Sequence, residues 1–230
     1  MSIRPAALNG AGPLPDAVLW DMDGTLVDTE PYWLEAERAL VEAHGGAWTE
    51  DDAKAVVGTA LIDSATYMRE HGGVPLPPEE IVELLLDRVV ALVEQGVPWR
   101  PGAVELLTDL RRNHMPCALV TMSYERFVAP VLARLPKGTF DVVVTGDAVT
   151  VGKPHPEPYL TAAALLGVAP GDCLAIEDSN TGAKSAEAAG CTVLVVPNHV
   201  PVLEGERRVF RDTLEGLDAT TLGSLVRLGS

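Results

Sequence analysis

Four short clusters of reactive residue types mark this sequence of 230 residues. The first is Asp21-Met22-Asp23-Gly24-Thr25, where two carboxylates stand one residue apart. At a strand end they would repel each other unless a cation lies between them or one of them keeps a proton. Both arrangements are chemically useful, with Asp21 holding a metal ion and Asp23 exchanging a proton. Gly24 permits a turn whose backbone N–H groups face an anion. The second cluster is Thr121-Met122-Ser123, whose hydroxyl and N–H donors would lead into a helix and suit phosphate. The third is Gly152-Lys153-Pro154-His155-Pro156-Glu157-Pro158, in which the prolines fix the backbone and hence the place of Lys153. A rigid lysine near two carboxylates neutralises a nucleophile and holds a phosphoryl oxygen. His155 has no partner four residues on and no carboxylate pair, so it reads as structural or as a support behind the site rather than as a base or ligand. The fourth cluster is Glu177-Asp178-Ser179, two adjacent acids that are costly to bury without a cation. With Asp21 they form an all-oxygen acidic site, which points to Mg²⁺ rather than Zn²⁺.

Each cluster also has an ordinary explanation: an Asx turn, a helix cap, a solvated lysine. The elements that would carry them argue for more. Five apolar runs rich in β-branched residues fall near 17–21, 117–121, 141–145, 173–177 and 191–196. Most are continuous rather than alternating, as strands covered on both faces are. Amphipathic stretches near 102–113, 124–134, 156–167 and 180–190 separate the later ones, with Pro101 as a first helical residue and Gly167 and Gly190 at helix ends. The pattern predicts an α/β fold, a Rossmann-like parallel sheet whose ligands bind at the carboxyl ends of the strands. All four clusters follow such ends.

The alternation breaks once. Between the first strand and Cys117 the chain reads as helical, over 31–44, 50–57, 61–71 and 79–95, the last with an apolar face of Leu84, Leu85, Val89, Leu92 and Val93. We expect a helical cap at 31–97 inserted after the first strand, a catalytic core of 16–30 and 98–230, and a loose N-terminal arm at 1–15, where prolines and glycines spoil any regular element. The opposite reading, a separate helical domain, would leave the first strand isolated.

Composition narrows the partners. The 33 acidic against 17 basic residues give a formal charge of −16, which disfavours nucleic acid and anionic membranes. No apolar run reaches the ~20 residues of a membrane span, and the N-terminus lacks the order of a secretory signal. Cys117, Cys173 and Cys191 share no metal-like spacing, and each opens an apolar run, so buried, reduced thiols and a cytoplasmic setting are expected.

Paired aspartates, hydroxyl, lysine and paired acids at successive strand ends resemble the signatures of the haloacid dehalogenase superfamily. Its first signature resembles Asp21 to Thr25, its second Thr121, its third Lys153 and its fourth Glu177-Asp178. The place of the insertion is similar to the helical cap of the β-phosphoglucomutase-like branch, as are Asp28-Thr29-Glu30-Pro31 and Glu177-Asp178-Ser179-Asn180-Thr181-Gly182-Ala183. The resemblance implies Asp21 as nucleophile, forming an aspartyl-phosphate, and Asp23 as general acid and base. It implies phosphate held by Thr121, Met122, Lys153 and the backbone N–H groups of Met22 to Thr25. It also implies Mg²⁺ held by Asp21, the Asp23 carbonyl, Asp178 and Glu177, the last directly or through water. An acid at Asp23 favours phosphate esters over the family's dehalogenases and phosphonate-cleaving relatives.

Departures separate hydrolysis from the alternative, a phosphomutase. Trp33 stands where the mutases carry a histidine, and Gly58 is followed by Thr59, Ala60 and Leu61 where they carry a cap arginine. The expected substrate is a small phosphorylated metabolite, and Glu30-Pro31-Tyr32-Trp33 looks like the sugar- and polyol-phosphate phosphatases. Trp33 and Thr59 are the candidate specificity residues, Trp33 either stacking on a sugar or covering apolar surface. Met122 is bulkier than expected beside the phosphate and would narrow the site. A non-enzymatic receiver-like switch would be about half this length and uncapped, and an inactive scaffold would lack at least one core residue. A monomer or weak homo-oligomer is expected.

Overall fold

The protein is described by a computed structural model over residues 14–56 and 61–226. The apolar runs form strands β1 (Ala17–Trp20), β2 (Cys117–Val120), β3 (Val142–Val144), β4 (Cys173–Glu177) and β5 (Thr192–Val195), joined by β6 (Arg208–Phe210). They make one parallel sheet in the order β3-β2-β1-β4-β5-β6. Every residue of β1, β2, β4 and β5 is buried, which is why those runs lack alternation. β1 lies in the middle, Trp20 pairing with Leu119 on one side and Ile176 on the other. The chain ends of β1, β2 and β4 therefore emerge side by side.

The helices, in chain order, are α1 (Glu30–Ala43), α2 (Glu50–Val56), α3 (Leu61–Glu70), α4 (Pro78–Gln95), α5 (Ala103–Arg112), α6 (Glu125–Leu132), α7 (Glu157–Leu166), α8 (Asn180–Ala189) and α9 (Ala219–Val226). On one face of the sheet, α7 and α8 bring Tyr159, Ala162, Ala163, Ala183 and Ala186 against Ala17, Leu19, Ala118, Val120, Ala175 and Val193. The small residues of α8 let it approach closely. The alternate strand residues, among them Val18, Trp20 and Leu119, are equally buried and point to the other face. Gly167 and Gly190 end α7 and α8 in the left-handed conformation, as expected from their positions.

The chain divides into two compact units, one running to Asp28 and resuming at Trp99, the other being Thr29–Pro98. The second unit is helical, α1 to α4, inserted after the first strand. Within it α4 packs on α1 and α3, burying Ile81, Leu85, Leu86, Val89 and Val93. Leu84, expected on that face, is 39% exposed. The buried stripe runs at four-residue steps through 81, 85, 89 and 93, and 84 lies on its flank.

Other expectations are corrected too. Pro101 precedes α5 rather than opening it. Gly102 is the cap residue, with φ of 80°, and a Cβ there would strike the backbone of Leu214 and Glu215. β6 and α9 were not anticipated. β6 is a three-residue edge strand beside Arg207 and so offers no apolar run to read. Residues 1–13 of the expected arm, and Gly58, Thr59 and Ala60, lie outside the described residues.

Candidate active site

The site is built where β1 stops. The Asp21 amide continues the ladder to the Ile176 carbonyl at 3.0 Å, holding its carboxylate at the strand tip. The chain then folds back: the Met22 carbonyl accepts from the amides of Leu26 (2.9 Å) and Val27 (3.0 Å), and the Gly24 amide reaches the Val27 carbonyl at 2.7 Å. Gly24 has φ of 87°, and a Cβ on it would overlap the Asp178 carboxylate, so the residue is fixed on two grounds.

β4 supplies Glu177 as its last residue and Asp178 directly after. Ser179 caps α8, accepting the Gly182 amide at 3.1 Å as expected for a helix start. The loop after β3 brings Lys153 back to the tips of β1 and β2. Its Nζ donates to Asp21 Oδ1 (2.7 Å), Glu177 Oε1 (2.8 Å) and the Val120 carbonyl (2.9 Å). Those acceptors match the ammonium's three N–H groups. Burial works against the charge of Lys153, but Asp21 and Glu177 outweigh it and hold the group above its ordinary pKa. Lys153 therefore stays charged as the counter-ion of the two acids.

Burial pushes the Glu177 carboxyl up, Lys153 pulls it back, and Asp21 adds to the rise. Asp178 is pushed up by burial and by its neighbours Asp21 and Glu177. One lysine thus faces three carboxylates whose ligand oxygens lie within 4.8 Å of one another. Asp21 Oδ2 is buried and has no hydrogen-bond donor among the described residues. An orphaned anionic oxygen within an all-oxygen, under-neutralised group fits a hard divalent cation such as Mg²⁺.

On the β2 side, the Asp23 Oδ2 accepts the Ser123 hydroxyl at 2.6 Å, with the Thr121 hydroxyl at 3.4 Å. The Ser123 amide donates to Thr121 Oγ1 at 3.0 Å. Asp23 thereby turns toward the hydroxyl cluster, and its side chain is not part of the group of three acids, Asp21, Glu177 and Asp178. Met122 faces the Lys153 loop, its sulfur accepting the Lys153 amide at 3.0 Å. Asp21, Asp23, Thr121, Met122, Lys153, Glu177 and Asp178 are thus brought together. Trp33 lies on α1 in the second unit, and Thr59 falls outside the described residues. His155 is half exposed and its carbonyl accepts the Ser185 hydroxyl, a structural place. Ser123 and Gly182 fall within stretches noted in the sequence but without the roles they take here, and Tyr159 is not among the expected site residues. Tyr159 donates to Glu177 Oε1 at 2.5 Å, yet in sequence it reads as a core aromatic on an amphipathic helix.

The cysteines are free and buried, at or just before the starts of β2, β4 and β5. Burial raises each thiol to about 12, which disfavours a thiolate nucleophile near neutrality. Surface hollows beside α5 and β3 gather Arg111, Thr139 and Asp141 but no comparable set of acids, so the chemistry locates the site.

Parallel sheet, acidic strand tips and a buried lysine define an α/β enzyme with an anionic, cation-ready centre. Comparison with known proteins agrees. A family model of haloacid dehalogenase-like hydrolases matches residues 15–190. A putative phosphatase, YhcW of Bacillus subtilis, is 35% identical over 80% of this chain and 84% of its own length. A phosphorylated carbohydrates phosphatase of Thermotoga maritima is 32% identical over 76% and 82%. The solved structure of CbbY from Rhodobacter sphaeroides, in complex with xylulose-(1,5)bisphosphate, superposes with a TM-score of 0.78 at 27% identity, covering 91% of this chain and 99% of that one. The chain belongs to the haloacid dehalogenase-like hydrolases, and the enzyme class shared with its relatives is phosphatase.

Proposed function

We propose that this enzyme is a Mg²⁺-dependent phosphomonoesterase that hydrolyses a small sugar or polyol phosphate through an aspartyl-phosphate on Asp21. The observation that carries the reading is the Asp21 carboxylate: Lys153 holds Oδ1, and Oδ2 is buried with no donor among the described residues. Asp21 attacks phosphorus in line, the ester P–O bond breaks, and Asp23 gives its proton to the departing alkoxide. Asp23 then removes a proton from water, whose oxygen attacks the acyl-phosphate and releases phosphate and free Asp21. Ser123 and Thr121 hold Asp23 on the β2 side between those steps. Lys153, by its charge, and the backbone N–H groups of Met22 and Asp23 would stabilise the phosphoryl oxygens, the Gly24 and Thr25 amides being taken by the Val27 and Met22 carbonyls. Asp21, Asp178, the Asp23 carbonyl and Glu177 would hold Mg²⁺, the last directly or through water. The cation supplies charge neutralisation at the phosphoryl oxygens and lowers the repulsion that a carboxylate nucleophile meets.

The helical unit Thr29–Pro98 serves as a cap that excludes unproductive water, with Trp33 and Thr59 contributing to specificity. The carbohydrate phosphatase and the sugar-bisphosphate complex among its relatives favour a sugar or polyol phosphate. Trp33 and Leu61 in place of the mutase histidine and arginine favour hydrolysis over transfer within a sugar. The free, buried thiols fit a reducing cytoplasm.

The test is phosphate release from sugar, polyol and nucleoside monophosphates, ranked by kcat/KM with Mg²⁺ and with EDTA. Wild type should give EDTA-sensitive release, best on a sugar or polyol phosphate. Asp21→Asn should keep the circular-dichroism spectrum and lose turnover. Near-normal rates in Asp21→Asn would refute the assignment of the nucleophile.

A further inference from the structure

Tyr159 stands in the first turn of α7, fully buried, and the reaction above gives it no part. Its surroundings are not those of an ordinary core aromatic. Glu177 Oε1 accepts two hydrogen bonds, from the Tyr159 hydroxyl at 2.5 Å and from Lys153 Nζ at 2.8 Å. Glu177 Oε2 takes the Ser179 hydroxyl at 3.3 Å. The Lys153 ammonium also sits 5.1 Å from the centre of the Tyr159 ring, within cation–π range. Tyr159 therefore meets the Lys153–Glu177 pair twice, by hydroxyl and by ring.

Lys153 is shared between two acids, with Asp21 at 2.7 Å and Glu177 at 2.8 Å. Nearly equal distances mean that a change in the demand of one acid shifts the ammonium relative to the other. Inside a buried site such shifts matter, because charge interactions are only weakly screened. Glu177 is further confined by α8, since a Cβ on Gly182 would overlap its carboxylate. It has little room to answer by moving.

We infer that Tyr159 is a positioning residue for the proposed reaction: its hydroxyl shares the charge on Glu177 Oε1 and so keeps Lys153 Nζ in register with the Asp21 carboxylate. Without that hydroxyl the charge on Glu177 Oε1 falls on Lys153 alone, and the ammonium is drawn away from the nucleophile. Misplacing a group beside the reacting atom lowers the chemical step more than ground-state binding. The inference rests on Asp21 being the nucleophile. The opposing account is that Tyr159 only fills space between α7 and the sheet, in which case phenylalanine would serve as well.

Tyr159→Phe deletes the hydroxyl and leaves ring, packing and cation contact in place. With p-nitrophenyl phosphate and Mg²⁺, kcat should fall about ten-fold or more, the scale for a lost hydrogen bond to a charged group. KM should stay within about two-fold. In a Glu177→Gln background the same change should cost less than about three-fold, because the charge that Tyr159 shares is gone. A Tyr159→Phe enzyme whose kcat stays within about two-fold of wild type overturns the inference, as does an equal cost in both backgrounds. Thermal midpoints accompany each measurement. Should Tyr159→Phe fail to fold, 3,5-difluorotyrosine placed at position 159 keeps ring and hydroxyl while strengthening the donor. A changed kcat at constant KM then supports the inference, and an unchanged kcat overturns it. Wild type without Mg²⁺-dependent turnover overturns the nucleophile reading and this inference together, whereas an active wild type with an indifferent Tyr159→Phe overturns this inference alone.

Discussion

Gly182 carries no side chain, yet it is as constrained as any acid in the site. It lies buried in the first turn of α8, its amide donating to Ser179, and a Cβ there would occupy the space of the Glu177 carboxylate. Helix propensity would favour alanine over glycine at such a position by about 1 kcal/mol. The site outweighs that preference, because Glu177 can yield only by disturbing Lys153 and hence Asp21. Gly182→Ala should therefore destabilise the fold by about 1–3 kcal/mol, the usual cost of overpacking. It should also lower kcat at least about ten-fold, the expected scale for a displaced charged group near the reacting atoms. Gly171→Ala is the control: a Cβ there has open space, its nearest neighbour being 4.0 Å away. Denaturant midpoints and steady-state rates of the two variants check this, and equal behaviour would show that Glu177 is not locked by α8.

At the scale of elements, α1 carries a buried acid held by an indole. Glu37 is 6% exposed and Trp48 Nε1 donates to its Oε2 at 3.2 Å. Burial raises its carboxyl to about 7, the Trp48 hydrogen bond lowers it, and Glu30 adds to the rise. Below the ordinary glutamate pKa both folded and unfolded chains keep this proton. As pH rises toward 7 the unfolded chain releases it first, so stability is lost across that window, by about 3 kcal/mol at most. Glu37→Gln keeps an acceptor for Trp48 and removes the penalty. Its thermal midpoint should exceed that of wild type at pH 8 and match it near pH 4, and parallel curves across that range would refute the claim. The position illustrates which features the sequence disclosed. Continuous apolar runs gave away β1, β2, β4 and β5, because full burial leaves its mark on every residue. Acids and lysine at strand ends were legible for the same reason, their types being improbable beside such runs. Contacts made across the fold were not: Tyr159 and Glu177 lie 18 residues apart and meet only because α7 packs on the sheet. Leu84 against Ile81 on α4 turned on a rotation of one residue, which apolar composition alone cannot resolve.

The whole molecule carries a formal charge of −16 and still gathers Asp21, Glu177 and Asp178 around one lysine. That arrangement opposes folding while it prepares the site, as acids brought together out of water repel one another. Asp178 shows the conflict most directly. Its carboxyl is pushed up by burial and by its acidic neighbours, so folding grows less favourable as pH rises through the window between its ordinary and its raised value. Replacing it by an amide removes a charge from the cluster at little change in shape. Asp178→Asn should then be more stable than wild type in EDTA at pH 8, and inactive. Mg²⁺ reverses the order by binding the folded wild type. At about a hundred times its dissociation constant a ligand adds roughly 2.7 kcal/mol, or about 5–10 °C for a chain of this size. Sodium at matched ionic strength accounts for general screening of the net charge and should give much less. Calorimetry of both proteins in EDTA, sodium and Mg²⁺ separates these contributions. A Mg²⁺-induced rise of equal size in Asp178→Asn would mean that the cation acts on the surface charge at large, and that the three acids at the strand tips are not its site.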